Sequence, residues 1–351
     1  MSPKRVFVTG STGYIGGDAL FALTQAQPDW NYSVLVRDAK RGEAVRAAFP
    51  RAQVVIGSLD DYDVIKDAAA NADIVVHTAD SSDHQGAARA IGDGLKSSHS
   101  PSNPGYWIHI SGTGILCWYD MDNQRYGEGP LPEQAYDDLE GVDKVTGLPD
   151  SAFHRDVDKI VLAYAAEDPE AVKVAIVCPP TIYGPGRGPV NQTSRQIPSL
   201  IATTLDEGFG PIIGAGHTEW DNVHVQDLSN LIVLLAAQAT LSEKSGVEDE
   251  IWGPKGYHFA ENGTHKWSAI AAVIAEEAHK QGLIPSSETK QLDAEVAKER
   301  HGFQALSWGL NSKGKAKRAR KYLGWQPSHP SLEETISEAV RSEAQRRAKG
   351  E

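Results

Sequence analysis

The chain has 351 residues, of which 40% are hydrophobic and 23% charged, with a formal net charge of −13. That length holds one large domain or two of ordinary size, and the balance is too apolar for a disordered chain. No apolar run reaches the roughly 20 residues of a membrane span, and the negative charge opposes the basic face that a nucleic-acid binder needs. No secretion leader is read at the start, because Met1-Ser2-Pro3-Lys4-Arg5 runs straight into the strand-like Val6-Phe7-Val8. Cys117 and Cys178 allow one disulfide at most. Without a leader, two buried thiols in a cytoplasmic protein are the expectation.

In chain order, β-rich runs are expected at Arg5–Thr9, Ser33–Val36, Gln53–Ile56, Ile74–His77, Trp107–Ser111 and Val172–Cys178. Helix-like runs fall between them at Gly16–Gln25, Gly42–Ala48, Asp61–Ala69 and Gly86–Lys96. This alternation predicts right-handed crossovers and a parallel sheet covered on both faces. Runs such as Ile74-Val75-Val76, with no polar alternation, suit strands buried on both sides. Trp118 to Asp150 has no period and is rich in Gly, Pro, Asp and Tyr. It reads as an ordered insertion over a site. Gly184–Gly188 is a sharp break. Helices are expected again at Ile197–Leu205, Gln226–Gln238 and His265–Gln281, and a solvated charged helix at Ser331–Lys349.

The strongest motif is Val8-Thr9-Gly10-Ser11-Thr12-Gly13-Tyr14-Ile15-Gly16-Gly17, a strand entering a glycine-rich turn that opens a helix. Gly10 takes the tight turn, Gly13 admits a pyrophosphate to the backbone, and Gly16 lets helix and strand pack closely. The free N–H groups of the helix start then face the phosphates. The second strand ends Val36-Arg37-Asp38, with Lys40 and Arg41 close behind. A cation at this tip suits the 2′-phosphate of NADP, so Arg37 favours NADP(H) over NAD(H). Asp38, one residue on, keeps NAD(H) as the alternative.

These residues resemble the extended branch of the short-chain dehydrogenase/reductase family, the NAD(P)-dependent epimerase/dehydratase-like proteins. Gly57-Ser58-Leu59-Asp60-Asp61 is similar to the adenine-lining segment, with Ser58 where aspartate is usual. Val75-Val76-His77-Thr78-Ala79 is similar to the fourth-strand element beside the cofactor. Pro179-Pro180-Thr181-Ile182-Tyr183-Gly184-Pro185-Gly186 resembles the turn beside the nicotinamide. Asp221 to Leu228 resembles the element that returns the chain to the nucleotide domain, and Leu323-Gly324-Trp325-Gln326-Pro327 the C-terminal signature. The resemblance implies an α/β fold: a Rossmann-type doubly wound parallel sheet with a smaller discontinuous α/β substrate domain. Residues 1–178 and 222–262 would form the first, 179–221 and 263–351 the second. Gly10, Ser11, Thr12, Gly13, Tyr14, Ile15, Gly16, Arg37, Asp61, Thr78, Ala79, Pro179, Ile182 and Lys159 are the expected cofactor residues.

The family usually carries a Ser or Thr, then a Tyr, then a Lys four residues after the Tyr. Here Thr113 falls at the hydroxyl position and Lys159 at the lysine, where it would bind the nicotinamide ribose. Four residues before Lys159 stands Arg155, not tyrosine. Arginine cannot give up a proton at neutral pH, though it can bind an oxyanion or carboxylate. The usual catalytic tyrosine is therefore lacking. Tyr119, Tyr126, Tyr136, His154 or Tyr183 would have to supply the proton. Tyr119, His154, Tyr183 and Trp220 are candidate substrate contacts.

The resulting expectation is an NADP(H)-dependent oxidoreductase acting on a small or medium organic carbonyl or enone, with Thr113, Arg155 and Lys159 as its catalytic set. The alternatives are an epimerase, isomerase or dehydratase using bound cofactor, or a non-catalytic dinucleotide-sensing regulator. A small-molecule substrate is the expected partner, with no nucleic acid and no membrane, and a homodimer is the family habit. No histidine spacing suggests a metal site.

Overall fold

The computed structural model describes residues 3–241 and 246–350; Met1 and Ser2, part of the opening run, lie outside the described residues. A seven-stranded parallel sheet forms the larger lobe. Its first five strands are β1 (Arg5–Thr9), β2 (Asn31–Val36), β3 (Gln53–Ile56), β4 (Ile74–His77) and β5 (Gly105–Ile110). The sheet runs β3, β2, β1, β4, β5, then the strands Val172–Cys178 and Tyr257–Phe259. The chain order reverses between β1 and β4, so a crevice opens there at the carboxyl ends of the strands. Strands β4 and Val172–Cys178 are buried at every residue, as expected of a sheet sandwiched between helices.

Helices α1 (Tyr14–Ala26), α2 (Ala39–Ala48), α3 (Tyr62–Ala70) and α4 (Gln85–Ser98) connect the first strands. On one face α1 packs against the helix Val225–Gln238. On the other, α3 packs on α4, and α4 on the helix Arg155–Glu167. The small residues of α4, Ala87, Ala88, Ala90 and Gly92, are all buried and allow that close approach.

The smaller discontinuous α/β lobe has its own core. Ile197, Leu200 and Ile201 of the helix Gln196–Glu207 meet Ile270, Ile274 and Ala278 of the helix Trp267–Lys280. The C-terminal helix Leu332–Ala348 joins them through Leu332, Ile336 and Val340, so it is half-embedded where a solvated helix was expected. Its start is fixed by a capping box between Ser331 and Glu334. The segment Ala316–Trp325, by contrast, packs into the core of the larger lobe.

The insertion 118–150 is ordered, as its composition suggested, but none of its residues lines the cleft. It is stitched between the lobes instead. Its strand Ala135–Asp137 pairs with Lys313–Lys315. Buried Asp120 accepts from Arg125, from Gln134 and twice from Asn311, at 2.7 to 2.9 Å. Asp138 accepts the backbone N–H groups of Phe259, Lys317 and Arg318. A further tie joins the lobes beneath α1. Arg187, in the Gly184–Gly188 break, makes three hydrogen bonds of 2.7 to 2.9 Å to fully buried Asp18. A Cβ placed on Gly17 would lie 2.8 Å from the Cα of Gly188, so the two backbones touch.

Candidate active site

The cleft has a volume of about 940 Å³ and runs from the turn after β1 to the face of the smaller lobe. The turn is built for close approach. Gly10 sits at φ +78°, and a Cβ there would fall 2.3 Å from Thr78 Oγ1 and 2.9 Å from Ala79 N. A Cβ on Gly16 would lie 2.2 Å from Thr78 Oγ1 and 2.4 Å from the Gly10 carbonyl oxygen. Thr78 Oγ1 donates to Thr9 O at 2.7 Å, which clamps the tips of β1 and β4 together. Helix α1 starts at Gly13 with no side-chain cap, so its first N–H groups stay free for an anion. The cradle fits a dinucleotide pyrophosphate, and fully buried Ser11 Oγ, beside it in the turn, has no protein partner.

Of the expected cofactor residues, Gly10, Thr12, Gly13, Tyr14, Ile15, Gly16, Arg37, Thr78, Ala79, Pro179 and Ile182 line this cleft together. Ser11, Asp61 and Lys159 do not. The Asp61 carboxylate turns back to accept the N–H of Ser58 at 2.6 Å, a bond that holds it below the usual carboxylate range. Gly57 and Leu59 take the wall instead. Of the cations after β2, Arg37 alone lines the cleft. Arg41 is paired with Asp38, whose carboxylate caps α2 by accepting the Arg41 N–H at 2.8 Å.

Around the expected catalytic set, the helix Arg155–Glu167 sits one residue out of the expected register. Lys159 is half exposed on the outer surface and bonds Asp150 at 2.8 Å. Arg155 holds the preceding loop by donating to the carbonyls of Leu148, at 3.0 Å, and Thr146. Neither faces the cleft. The residues four apart on the inward stripe are His154 and Asp158. His154 lines the cleft, and its Nδ1 lies 2.8 Å from Asp83 Oδ1. Asp158 is fully buried behind it and accepts from the Tyr257 hydroxyl at 3.0 Å. Burial pushes the Asp158 carboxyl up to about 6, against the opposing pull of Ser111 and Tyr257.

Thr113 does line the cleft, beside Ser111. The Thr113 hydroxyl is buried without a protein partner, and the buried Ser111 hydroxyl interacts with the Asp158 carboxyl. Trp220 lines the far wall, and its indole N–H is likewise unpaired. Tyr119 and Tyr183 are elsewhere: the first lies under the Arg125 guanidinium, and the second donates to Pro330 O at 3.0 Å. Phe153 and Phe303 meet edge to face across the mouth. Cys117 and Cys178 are both buried free thiols. No group of side chains among the described residues could hold a metal ion, and no helix among them is long and apolar enough to cross a membrane.

The reversed sheet order, the glycine cradle and the two-lobed cleft define a dinucleotide-binding α/β protein. The family model for NmrA-like proteins matches residues 2–95, and that for the NAD dependent epimerase/dehydratase family residues 149–247. The chain is 36% identical to the oxidase ucsJ of Acremonium sp. over 346 residues, covering 98% of each. Its fold is similar to that of DesIV, a dTDP-glucose 4,6-dehydratase from Streptomyces venezuelae, with a TM-score of 0.67, 17% identity and 98% of both chains covered. The dTDP-glucose 4,6-dehydratase of Bacillus anthracis gives a TM-score of 0.67 at 14% identity, with 97% of both chains covered. The chain belongs to the extended short-chain dehydrogenase/reductase-like, NAD-dependent epimerase/dehydratase family.

Two expectations are corrected here. The preference for NADP(H) is overturned, since both dehydratases were solved with NAD bound. The strand tip agrees with this in part, because Asp38 neutralises Arg41 there. An NADP(H)-dependent oxidoreductase of small carbonyls or enones is overturned too, as the matched structures are sugar-nucleotide enzymes holding NAD.

Proposed function

We propose that the chain is an NAD(H)-dependent enzyme of the epimerase/dehydratase type, which keeps its cofactor and works on a small molecule held between the lobes. The observation that carries this reading is the continuity of the cleft. One wall is the Gly10–Gly16 cradle, and the other is the Trp220 and Leu306 face of the smaller lobe. Bound NAD supplies a hydride acceptor and donor. The residues of this chain do the rest. The free N–H groups at the start of α1 bind the pyrophosphate. Thr113 offers its hydroxyl to a substrate oxygen, and the Trp220 N–H offers one fixed donor further out. In this reading a hydride leaves the substrate and returns to it, so no net reduction of the cofactor follows.

The test begins with the purified protein. Denaturation should release NAD(H) and not NADP(H), and tryptophan quenching should give tighter binding of NAD(H). A panel that includes dTDP-glucose and UDP-glucose is then screened for water loss or epimerisation. Product without accumulated NADH supports the reading. A second reading is net oxidation, favoured by the 36% identical relative named an oxidase. It predicts one NADH for each turnover. Tighter binding of NADPH, or no binding of either dinucleotide, would refute both.

A further inference from the structure

We propose that His154 is the proton-transfer residue of this cleft, with Asp83 as its positioning residue. This rests on the reading above that a dinucleotide and a small molecule share the site. In the family pattern a tyrosine precedes its partner on the same helix by four residues. Here the pair with that spacing on the inward stripe is His154, which lines the cleft, and Asp158, buried behind it.

Four observations converge on His154. First, its backbone lies at φ +65°, in the left-handed region that a non-glycine residue adopts at a cost. That conformation falls at the residue where the chain enters the helix Arg155–Glu167, and His154 lines the cleft there. Second, Nδ1 is 2.8 Å from Asp83 Oδ1. The bond from His154 holds the Asp83 carboxyl below its ordinary range, with the charge of Arg195 adding to it. An ionised carboxylate only accepts, so Nδ1 carries the hydrogen and the neutral ring keeps its lone pair on Nε2.

Third, that nitrogen faces a space made by two glycines. A Cβ on Gly112 or Gly114 would stand 3.3 or 3.1 Å from Nε2. Nε2 has no hydrogen-bond partner among the described residues, and the unpaired hydroxyl of Thr113 lines the same cleft. Fourth, the other candidates are placed elsewhere. Tyr119, Tyr126, Tyr136 and Tyr183 do not line the cleft, and the hydroxyl of Tyr14, which does line it, is committed to Gly184 O.

Oxidising a carbinol to a carbonyl removes a hydride from carbon, for which NAD+ held in the cradle would be the acceptor, and a proton from oxygen. The proton passes to His154 Nε2, giving an imidazolium whose charge Asp83 balances. In the return direction Nε2 gives the same proton back to the oxygen.

The decisive test needs no substrate. Protein labelled with 15N-histidine is recorded at pH 8, and His154 is assigned by its loss in His154→Gln. Histidine free in water favours hydrogen on Nε2. The proposal requires the opposite tautomer at residue 154, and its reversion in Asp83→Ala. Hydrogen on Nε2 in the unaltered protein, or no change in Asp83→Ala, would overturn it. A second test uses His154→Gly, since glycine adopts the positive φ without strain. NAD binding should stay within about twofold. Turnover of the panel member that the unaltered protein converts should fall by about 10²–10⁴-fold and recover with added imidazole. A loss below about fivefold, or a loss that imidazole leaves untouched while NAD still binds, would overturn the role. Absent NAD binding in the unaltered protein refutes the cofactor reading instead, and the tautomer result stands apart from it.

Discussion

Asp158→Asn should stabilise the chain above pH 6 and leave it unchanged near pH 4. In the fold the carboxyl is fully buried and its pKa rises from 3.8 to about 6. A raised carboxyl pKa means that the folded chain holds the proton more tightly than the unfolded chain. Stability is therefore fully present below about 4, and it falls as pH climbs through the folded value. At about 1.4 kcal/mol for each pH unit, the rise costs ~3 kcal/mol once both states are ionised. Asparagine removes the charge, keeps an oxygen for the Tyr257 hydroxyl, and offers an amide hydrogen to Ser111. The assay is urea unfolding of both proteins at pH 4 and pH 8. The difference in unfolding free energy should be near zero at the lower pH and should approach that figure at the higher. Equal differences at the two pH values, or a less stable variant at pH 8, would refute the argument that burial dominates this carboxyl.

Other substitutions test the placement of the remaining residues. Gly16→Ala puts a Cβ 2.4 Å from the Gly10 carbonyl oxygen. NAD binding should be lost by tryptophan quenching, with about 1–3 kcal/mol of stability lost to overpacking. Lys159→Ala removes an exposed surface pair with Asp150. It should leave NAD affinity unchanged by the same measurement, whereas a lysine on the ribose would cost at least tenfold. Arg155→Ala frees the carbonyls of Thr146 and Leu148. It should cost about 2 kcal/mol, the scale of a charged hydrogen bond, and speed proteolysis of residues 146–154 without touching cofactor binding.

The frame of the fold was legible because its signals are local. Strands β1, β3 and β4 and the strand Val172–Cys178 begin and end as expected, since each is an apolar run cut off by a polar residue, a glycine or a proline. The seventh strand, Tyr257–Phe259, was not seen. It is three residues long, and only pairing with Ile176–Cys178 makes it a strand. At the site, the cradle was legible and the helix register was not. Arg155 and Lys159 drew attention as a charged pair resembling half of a known motif. The apolar period was the better guide. Val157, Val161 and Ala165 are buried, and Asp158 lies on their stripe. One turn back along that stripe is His154. A carboxylate on an apolar stripe breaks the pattern, and that break was the available signal. Asp83 could not have been found this way, because only the fold brings position 83 beside position 154.

The lobes are fastened unequally. Under α1 they are riveted by Asp18 and Arg187, where glycine backbones touch at Gly17 and Gly188. Elsewhere along the cleft, Phe153 and Phe303 meet only edge to face, at 5.6 Å between centroids, and Phe303 is 55% exposed. Of these two ties the ring contact is the weaker, worth about 0.5–1.5 kcal/mol beyond its burial, so it is the one that yields first under strain.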